Sequence, residues 1–291
     1  MKDDTASNTV GLIGVGLLGK ALAERLLAAG FELRGHDIAA EAMSAFAALG
    51  GQPVERAAEV AASCQQIVLC LPNSDIVEAV VAELLPSLKA GSIVIDTTTG
   101  EPSRSRAVAA RVANVNADLI DASILGSSEV TRSGEAVILA GGSEAGLRHA
   151  SPLLDAISHK LHHVGPVGCG QEMKLVANLV LGLNRAVLAE GLHFARTFDL
   201  DLKVVLDVLK SGAAYSAVMD AKGEKMIDGD FAPQAKLSQH LKDVRLILNH
   251  AASVNQSLPL SEAHRRLLET AEGGGCGDLD NSAVIRAWAV E

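Results

Sequence analysis

The sequence predicts an α/β protein in which a doubly wound parallel sheet is followed by an all-helical region that opens with one long helix. Three observations predict it. Up to about Val164, short β-branched runs alternate with longer helical patterns, as they do where parallel strands are joined by helices. A glycine-rich turn separates the first strand from the first helix. After Val164 no strand-like run recurs, and helical periodicity continues to the C-terminus.

At 291 residues the chain exceeds the length at which one core usually splits, so two domains are expected, 1–164 and 165–291, divided near Gly165-Pro166. The first eight or so residues read as a loose tail. Strands are expected at Thr9-Ile13, Glu32-His36, Gln66-Leu71, Ser92-Thr97, Asp118-Asp121, Ala136-Ala140 and Lys160-Val164. Helices are expected at Gly19-Ala29, Glu41-Leu49, Ser74-Leu88, Ser103-Asn114 and Ser143-Ile157, several of them alanine-rich enough to pack closely on a sheet. From about Gln171 to Phe198 a proline-free pattern, apolar at Leu175, Leu179, Leu183, Ala186 and Ala189, predicts a long helix bridging the two domains. Shorter helices follow, punctuated by Gly212, Gly223, Gly229, Pro233, Pro259 and Gly273-Gly274-Gly275.

Composition narrows the function. Aromatic residues make up 2% of the chain and the formal net charge is -10, which argues against a nucleic-acid partner. The N-terminus lacks a basic n-region, and no run approaches the ~20 uninterrupted apolar residues of a membrane span, so no membrane is expected. Cys64, Cys70, Cys169 and Cys276 form no C-x-x-C pair, which suits a reducing cytoplasm. His159, His162 and His163 invite a metal reading, but strand neighbours face opposite sides, so His162 and His163 cannot share an ion and no metal is expected.

Val10 to Gly19 is an apolar strand running into G-x-G-x-x-G, followed by the helix-forming Lys20-Ala21-Leu22-Ala23. Gly14 permits the tight turn, Gly16 lets the backbone approach a pyrophosphate, and Gly19 lets helix and strand pack closely; Leu17 and Leu18 complete the loop. The second strand closes at Asp37, within the expected ~20 residues. A carboxylate there accepts hydrogen bonds from ribose hydroxyls and repels a 2′-phosphate, so NAD is the expected cofactor and NADP the alternative. Asp37 as a plain strand-end helix cap is the other reading.

Gly165 to Asn178 joins a glycine-rich entry loop to the long helix and places Lys174 and Asn178 four apart on one face. A lysine desolvated in a closing cleft could shuttle a proton, with Asn178 orienting a substrate hydroxyl or holding the lysine. A solvated lysine beside a core-facing asparagine is the alternative on these residues alone. Cys169 lies in the same loop, but without an identifiable histidine partner it is not expected to be a nucleophile.

The spacing G-x-x-G-x-G-x-x-x-K-x-x-x-N after a dinucleotide loop resembles the β-hydroxyacid dehydrogenase family, which includes 3-hydroxyisobutyrate dehydrogenases and tartronate semialdehyde reductases. Leu71-Pro72-Asn73, Asp96-Thr97-Thr98-Thr99, Asp121 through Gly142, and Leu241-Lys242-Asp243 match in order, so the resemblance covers nearly the whole chain. It implies that Lys174 is the acid/base supported by Asn178. It also implies that Leu71, Pro72 and Thr97 or Thr98 line the cofactor, and that Lys242 closes over it from the second domain. The implied reaction is reversible oxidation of a small 3-hydroxy acid to its semialdehyde in the cleft between the domains, and because the apolar faces along the long helix exceed what one subunit can cover, a homodimer or homotetramer is expected.

One segment departs from the family pattern. The substrate loop of the family reads D-A-P-V-S-G-G, whereas this chain has Asp121-Ala122-Ser123-Ile124-Leu125-Gly126-Ser127-Ser128, with Leu125 in place of the serine. Either Ser123, Ser127 or Ser128 takes over with the loop amides around Gly126, or the substrate differs, or the loop is a structural variant with unchanged chemistry. Tyr215, Gln239 and His240 are candidates for a more polar pocket wall. An imine reductase and a non-catalytic dinucleotide-binding module are the competing functions.

Overall fold

Eight short runs, most of them apolar, form a single sheet: β1 (Thr9–Ile13), β2 (Glu32–His36), β3 (Gln52–Pro53), β4 (Gln66–Leu69), β5 (Ile93–Asp96), β6 (Asp118–Leu125), β7 (Val137–Gly141) and β8 (Lys160–Gly165). This computed structural model describes residues 8–288, so the expected tail, Asn8 apart, lies outside the described residues. The strand order is β3-β2-β1-β4-β5-β6-β7-β8. Between β1 and β4 the winding reverses, and in doubly wound sheets the crevice beyond the strand ends at that point receives the ligand. Helices α1 (Leu17–Ala28), α2 (Ala40–Ala48), α3 (Ala57–Ser63), α4 (Ser74–Leu84), α5 (Pro102–Ala113), α6 (Ser128–Arg132) and α7 (Glu144–Ile157) connect the strands. One buried cluster centres on Leu12, Leu22, Phe46, Ile95 and Leu154, and another on Ile13, Val60, Ile67, Val94 and Leu119. Alternate residues of β1 thus feed both faces, which is why its sequence is apolar throughout.

The sheet departs from the sequence expectation in its far half. It is not wholly parallel, because β6 and β7 pair antiparallel, Asp121 with Gly141 through Leu125 with Val137. Only residues 126–136 link these strands, fewer than a parallel crossover usually needs. Strand β6 also runs four residues beyond the expected Asp121, because pairing with β7 recruits Ala122-Ser123-Ile124-Leu125.

The chain divides after Lys174 into two units. Helix α8 (Cys169–Arg196) begins in the first and continues through the second, where α9 (Leu202–Ser211), α10 (Ala217–Asp228), α11 (Leu237–Ser253) and α12 (Pro259–Ala271) follow. By length and mean hydropathy α8 is apolar enough to cross a membrane, although Lys174, Arg185 and Glu190 interrupt its apolar residues and 44% of its most apolar stretch is buried inside the protein. The second unit packs Leu188, Leu192, Leu206, Met226, Leu237, Leu241 and Leu268 into one core. Within it Lys222 is paired with the fully buried Asp280 at 2.9 Å, and Asp280 also accepts from the amides of Gln234, Ala235 and Ser282. Burial would raise the carboxyl, but these donors overcome it and hold its pKa at about 2.

His240 of α11 and His264 of α12 face each other in this unit with ring centroids 5.2 Å apart. Burial first, then the positive charge of Arg185, lowers His264 from 6.5 to about 4; His240 is lowered for the same reasons and by His264 itself. The unfolded chain therefore takes up these protons first, so stability that is intact above about pH 6.5 is lost as pH falls toward 4. Calorimetry should show the Tm of wild type falling between pH 7 and pH 5 more steeply than that of His264→Leu. The titrations of Asp96 and Asp121 in the other unit are common to both proteins and cancel in the comparison; equal slopes would contradict this account.

Candidate active site

The first glycine loop is built by contact as much as by conformation. Gly14 has φ +91°, and a Cβ there would stand 2.2 Å from the Cys70 carbonyl oxygen. A Cβ on Gly19 would lie 2.0 Å from the Gly14 carbonyl oxygen, so helix α1 approaches its own entry turn as closely as a glycine allows. Gly16 differs, because a Cβ there would meet nothing within 4 Å. No protein contact demands glycine at that position, and the open space above an exposed backbone at the start of α1 fits a pyrophosphate. Leu17 is 85% exposed beside it, while Leu18 is half-buried.

Asp37 serves the protein itself. One carboxylate oxygen accepts from the Val15 amide at 2.7 Å and the other from the Ala39 amide at 2.9 Å, tying the glycine loop to the entry of α2. The helix-cap reading is not what the structure shows: the N-cap of α2 is Ala39, which has no side-chain cap, and Asp37 bonds the Ala39 amide from the turn that precedes the helix. Each carboxylate oxygen accepts more than one hydrogen bond, so the two anchoring bonds do not use up its capacity. Ile38 follows, 97% exposed, and supplies no cation.

A buried hydrogen-bond network joins the ends of β4 and β5 and the middle of β6 to the first turn of α8. Leu71 donates its amide to Thr98 Oγ1 at 3.0 Å, Thr97 Oγ1 donates to the Leu69 carbonyl at 2.7 Å, and the Thr98 amide donates to Asp96 at 2.9 Å. Pro72 is exposed, and Asn73 caps α4 through the Ile76 amide. Asp121, fully buried, accepts from the Gly168 and Gln171 amides, both at 2.8 Å. Gln171 in turn donates Nε2 to the Thr98 carbonyl at 2.6 Å and accepts the Gly100 amide at 2.9 Å. Burial pushes both Asp96 and Asp121 up to about 6, against their hydrogen bonds, which pull the other way.

Lys174 emerges from this turn 9% exposed and donates Nζ to the Ile124 carbonyl on β6 at 2.6 Å. It is not the solvated lysine of the alternative reading. Asn178, 7% exposed, donates to Asp243 Oδ2 at 3.3 Å within the second unit. Lys242, beside Asp243 on α11, is half-buried. In the substrate loop, Ser123 is fully buried opposite Leu139, Leu125 is half-buried, and Gly126 is exposed. Ser127 caps α6 by accepting from the Val130 amide at 3.2 Å.

Of the three residues expected in a polar pocket wall, His240 is buried and faces another helix of the second unit. Tyr215 is half exposed and bonds Asp220, and Gln239 is exposed. Burial raises the Cys169 thiol, and burial holds Cys70 at about 11, so neither is poised as a thiolate. His163 bonds the Gly142 and Gly165 carbonyls, and among the described residues no three His, Cys, Asp or Glu side chains could hold a metal together.

Comparison with known proteins accords with this geometry. Residues 9–165 match the NAD binding domain of 6-phosphogluconate dehydrogenase, and residues 168–288 match the NAD-binding region of NADP-dependent 3-hydroxyisobutyrate dehydrogenase. The chain is 33% identical over 283 residues to 2-(hydroxymethyl)glutarate dehydrogenase of Eubacterium barkeri, spanning 96% of this chain and 94% of that one. It is 30% identical to 2-hydroxy-3-oxopropionate reductase of Escherichia coli, spanning 96% of each. The solved 3-hydroxyisobutyrate dehydrogenase of Mycobacterium tuberculosis with L-serine superposes with TM-score 0.91 at 25% identity, covering 96% of this chain and 98% of that one.

The contrast between the two loop glycines gives a direct test. Gly19→Ala should lower the Tm of the ligand-free protein because its Cβ collides with backbone, whereas Gly16→Ala should leave that Tm unchanged and weaken dinucleotide binding. Thermal unfolding and NADH fluorescence titration measure the two effects; a Gly16→Ala protein with unaltered affinity would contradict the pyrophosphate assignment.

Proposed function

The chain belongs to the β-hydroxyacid dehydrogenase family, and on that premise we propose that it moves hydride reversibly between a small 3-hydroxy acid and its semialdehyde, with NAD(H) as cofactor and Lys174 as acid/base. One observation carries the proposal: a buried lysine whose Nζ is aimed by a strand-end carbonyl at the head of the substrate loop. When bound, the nicotinamide supplies the acceptor or donor of the hydride. The residues of the chain supply binding, orientation and proton transfer. Gly14, Gly16 and Gly19 cradle the pyrophosphate, Asp37 takes the adenosine ribose, and Leu71, Thr97 and Thr98 line the nicotinamide side. Lys174 accepts the hydroxyl proton during oxidation and returns it during reduction, while Asn178, one helical turn on, orients the substrate oxygen.

For the substrate carboxylate we favour Ser127 with the loop amides, because Ser123 is sealed inside β6 and Leu125 offers no hydrogen bond. The preference for NAD rests on Asp37 and on the absence of a cation at Ile38. Val176, Val180, Val187 and Phe194, each more than half exposed, form an apolar stripe along α8 at spacings that keep to one helical face. A homodimer or homotetramer covers it, and light scattering should give a mass of at least two chains. Cys64, Cys70, Cys169 and Cys276 are all unpaired, and the cytoplasm keeps them reduced.

The test is a panel of 3-hydroxy acids and semialdehydes, with cyclic imines as the competing class, assayed with NAD and NADP. Turnover of the hydroxy acids with NAD is expected, and turnover of imines alone would overturn the proposal. Lys174→Ala should lower kcat by about 10²- to 10⁴-fold while NADH still binds, since that is the usual worth of a positioned acid/base. Asp37→Ser should erode the NAD over NADP ratio of kcat/KM by about 10-fold or more.

A further inference from the structure

We infer that Gln171 is a positioning residue of this site: it locks the loop carrying Thr97 and Thr98 to the helical turn carrying Lys174, and so sets the separation between the hydride side and the proton side. The inference rests on the reading of Lys174 as acid/base. Gln171 is fully buried, and its side-chain amide is used at both ends on one loop, donating to the Thr98 carbonyl and accepting the Gly100 amide. A carboxamide carries a donor and an acceptor on one planar group, so it matches a carbonyl and an N–H together; a carboxylate, a lysine or an aliphatic chain leaves at least one of them unmatched in a buried place.

The lock continues in both directions. Thr98 holds the Leu71 amide through its hydroxyl, which ties the loop to the strand end of β4. The backbone amide of Gln171 is held by Asp121, on the same strand whose Ile124 carbonyl receives Lys174. Lys174 lies three positions after Gln171, so both belong to one turn of α8 and move together. From Leu71 to that turn the connection therefore runs through two side chains, Thr98 and Gln171. Simultaneous hydride and proton transfer demands a fixed separation of the groups involved, and a misplacement of about 1 Å can cost about 100-fold in rate.

The experiment uses the full chain. In Gln171→Leu, kcat should fall about 10- to 100-fold with the KM for NAD little changed, and the limb of the kcat pH profile that Lys174→Ala abolishes should shift. In the ligand-free protein, deuterium uptake across residues 97–101 should rise. Gln171→Glu presents the same donor and acceptor only when protonated, so its activity relative to wild type should recover as pH is lowered; if the leucine variant does not fold, this recovery carries the test. A wild-type kcat and pH profile in Gln171→Leu, or a Gln171→Glu activity ratio that ignores pH, overturns the inference. An inert Lys174→Ala beside an unaffected Gln171→Leu removes only the positioning role, whereas a fully active Lys174→Ala removes the acid/base reading.

Discussion

The carboxylate of Asp121 beneath the first turn of α8 is the constraint on which the site depends. It accepts two amides of that turn, Gly168 and Gln171, from a strand buried in the middle of the sheet. The enclosure is tight. A Cβ on Gly141 would stand 2.4 Å from one carboxylate oxygen, and a Cβ on Gly170 would stand 2.7 Å from the other. Gly141 on β7 and Gly170 in the first turn of α8 therefore have a defined purpose, which is to let main chain close around a carboxylate that anchors the helix bearing Lys174. A negative group at a helix N-terminus is favourable in itself, and burial strengthens the interaction while it also raises the Asp121 pKa.

Local signals made much of this legible in sequence. The strand-turn-helix around Gly14, Gly16 and Gly19, the second strand ending before Asp37, and the long helix opening near Lys174 all announce themselves through periodicity and turn chemistry. Several elements escaped that reading for physical reasons. β3 is two residues long, α3 is seven and α6 is five, each too short to show a period. The outer half of β6 contains Ala122 and Ser123, which look unlike strand residues until β7 pairs with them. Gln171 escaped for a different reason. A glutamine near a helix start resembles any surface residue, and its partners Thr98 and Gly100 lie more than seventy positions away.

Polar residues divide the work between support and chemistry. Asp37 holds the glycine loop to the turn before α2 while retaining capacity to accept further hydrogen bonds, so this supporting role is compatible with the one proposed for it toward a ribose. In the second unit, Asp280 and Lys222 are fully committed to each other and to neighbouring amides, and His240 and His264 are buried neutral. Those groups give the helical unit a defined packing and a sensitivity to acid without any part in the chemistry proposed for Lys174. The departure at Leu125 sits between these cases, because it removes a hydroxyl from the substrate loop while the backbone around it keeps the strand pairing.

The claim at the centre of this account is that Lys174, held on the Ile124 carbonyl by a helix anchored at Asp121, carries the proton while hydride moves. Chemical rescue tests it most directly. With NAD and a turned-over hydroxy acid, Lys174→Ala should regain activity in proportion to added small primary amines, with rate constants that depend on amine pKa as general-base catalysis requires. A Lys174→Ala protein that turns over as fast without amine as with it would contradict the claim.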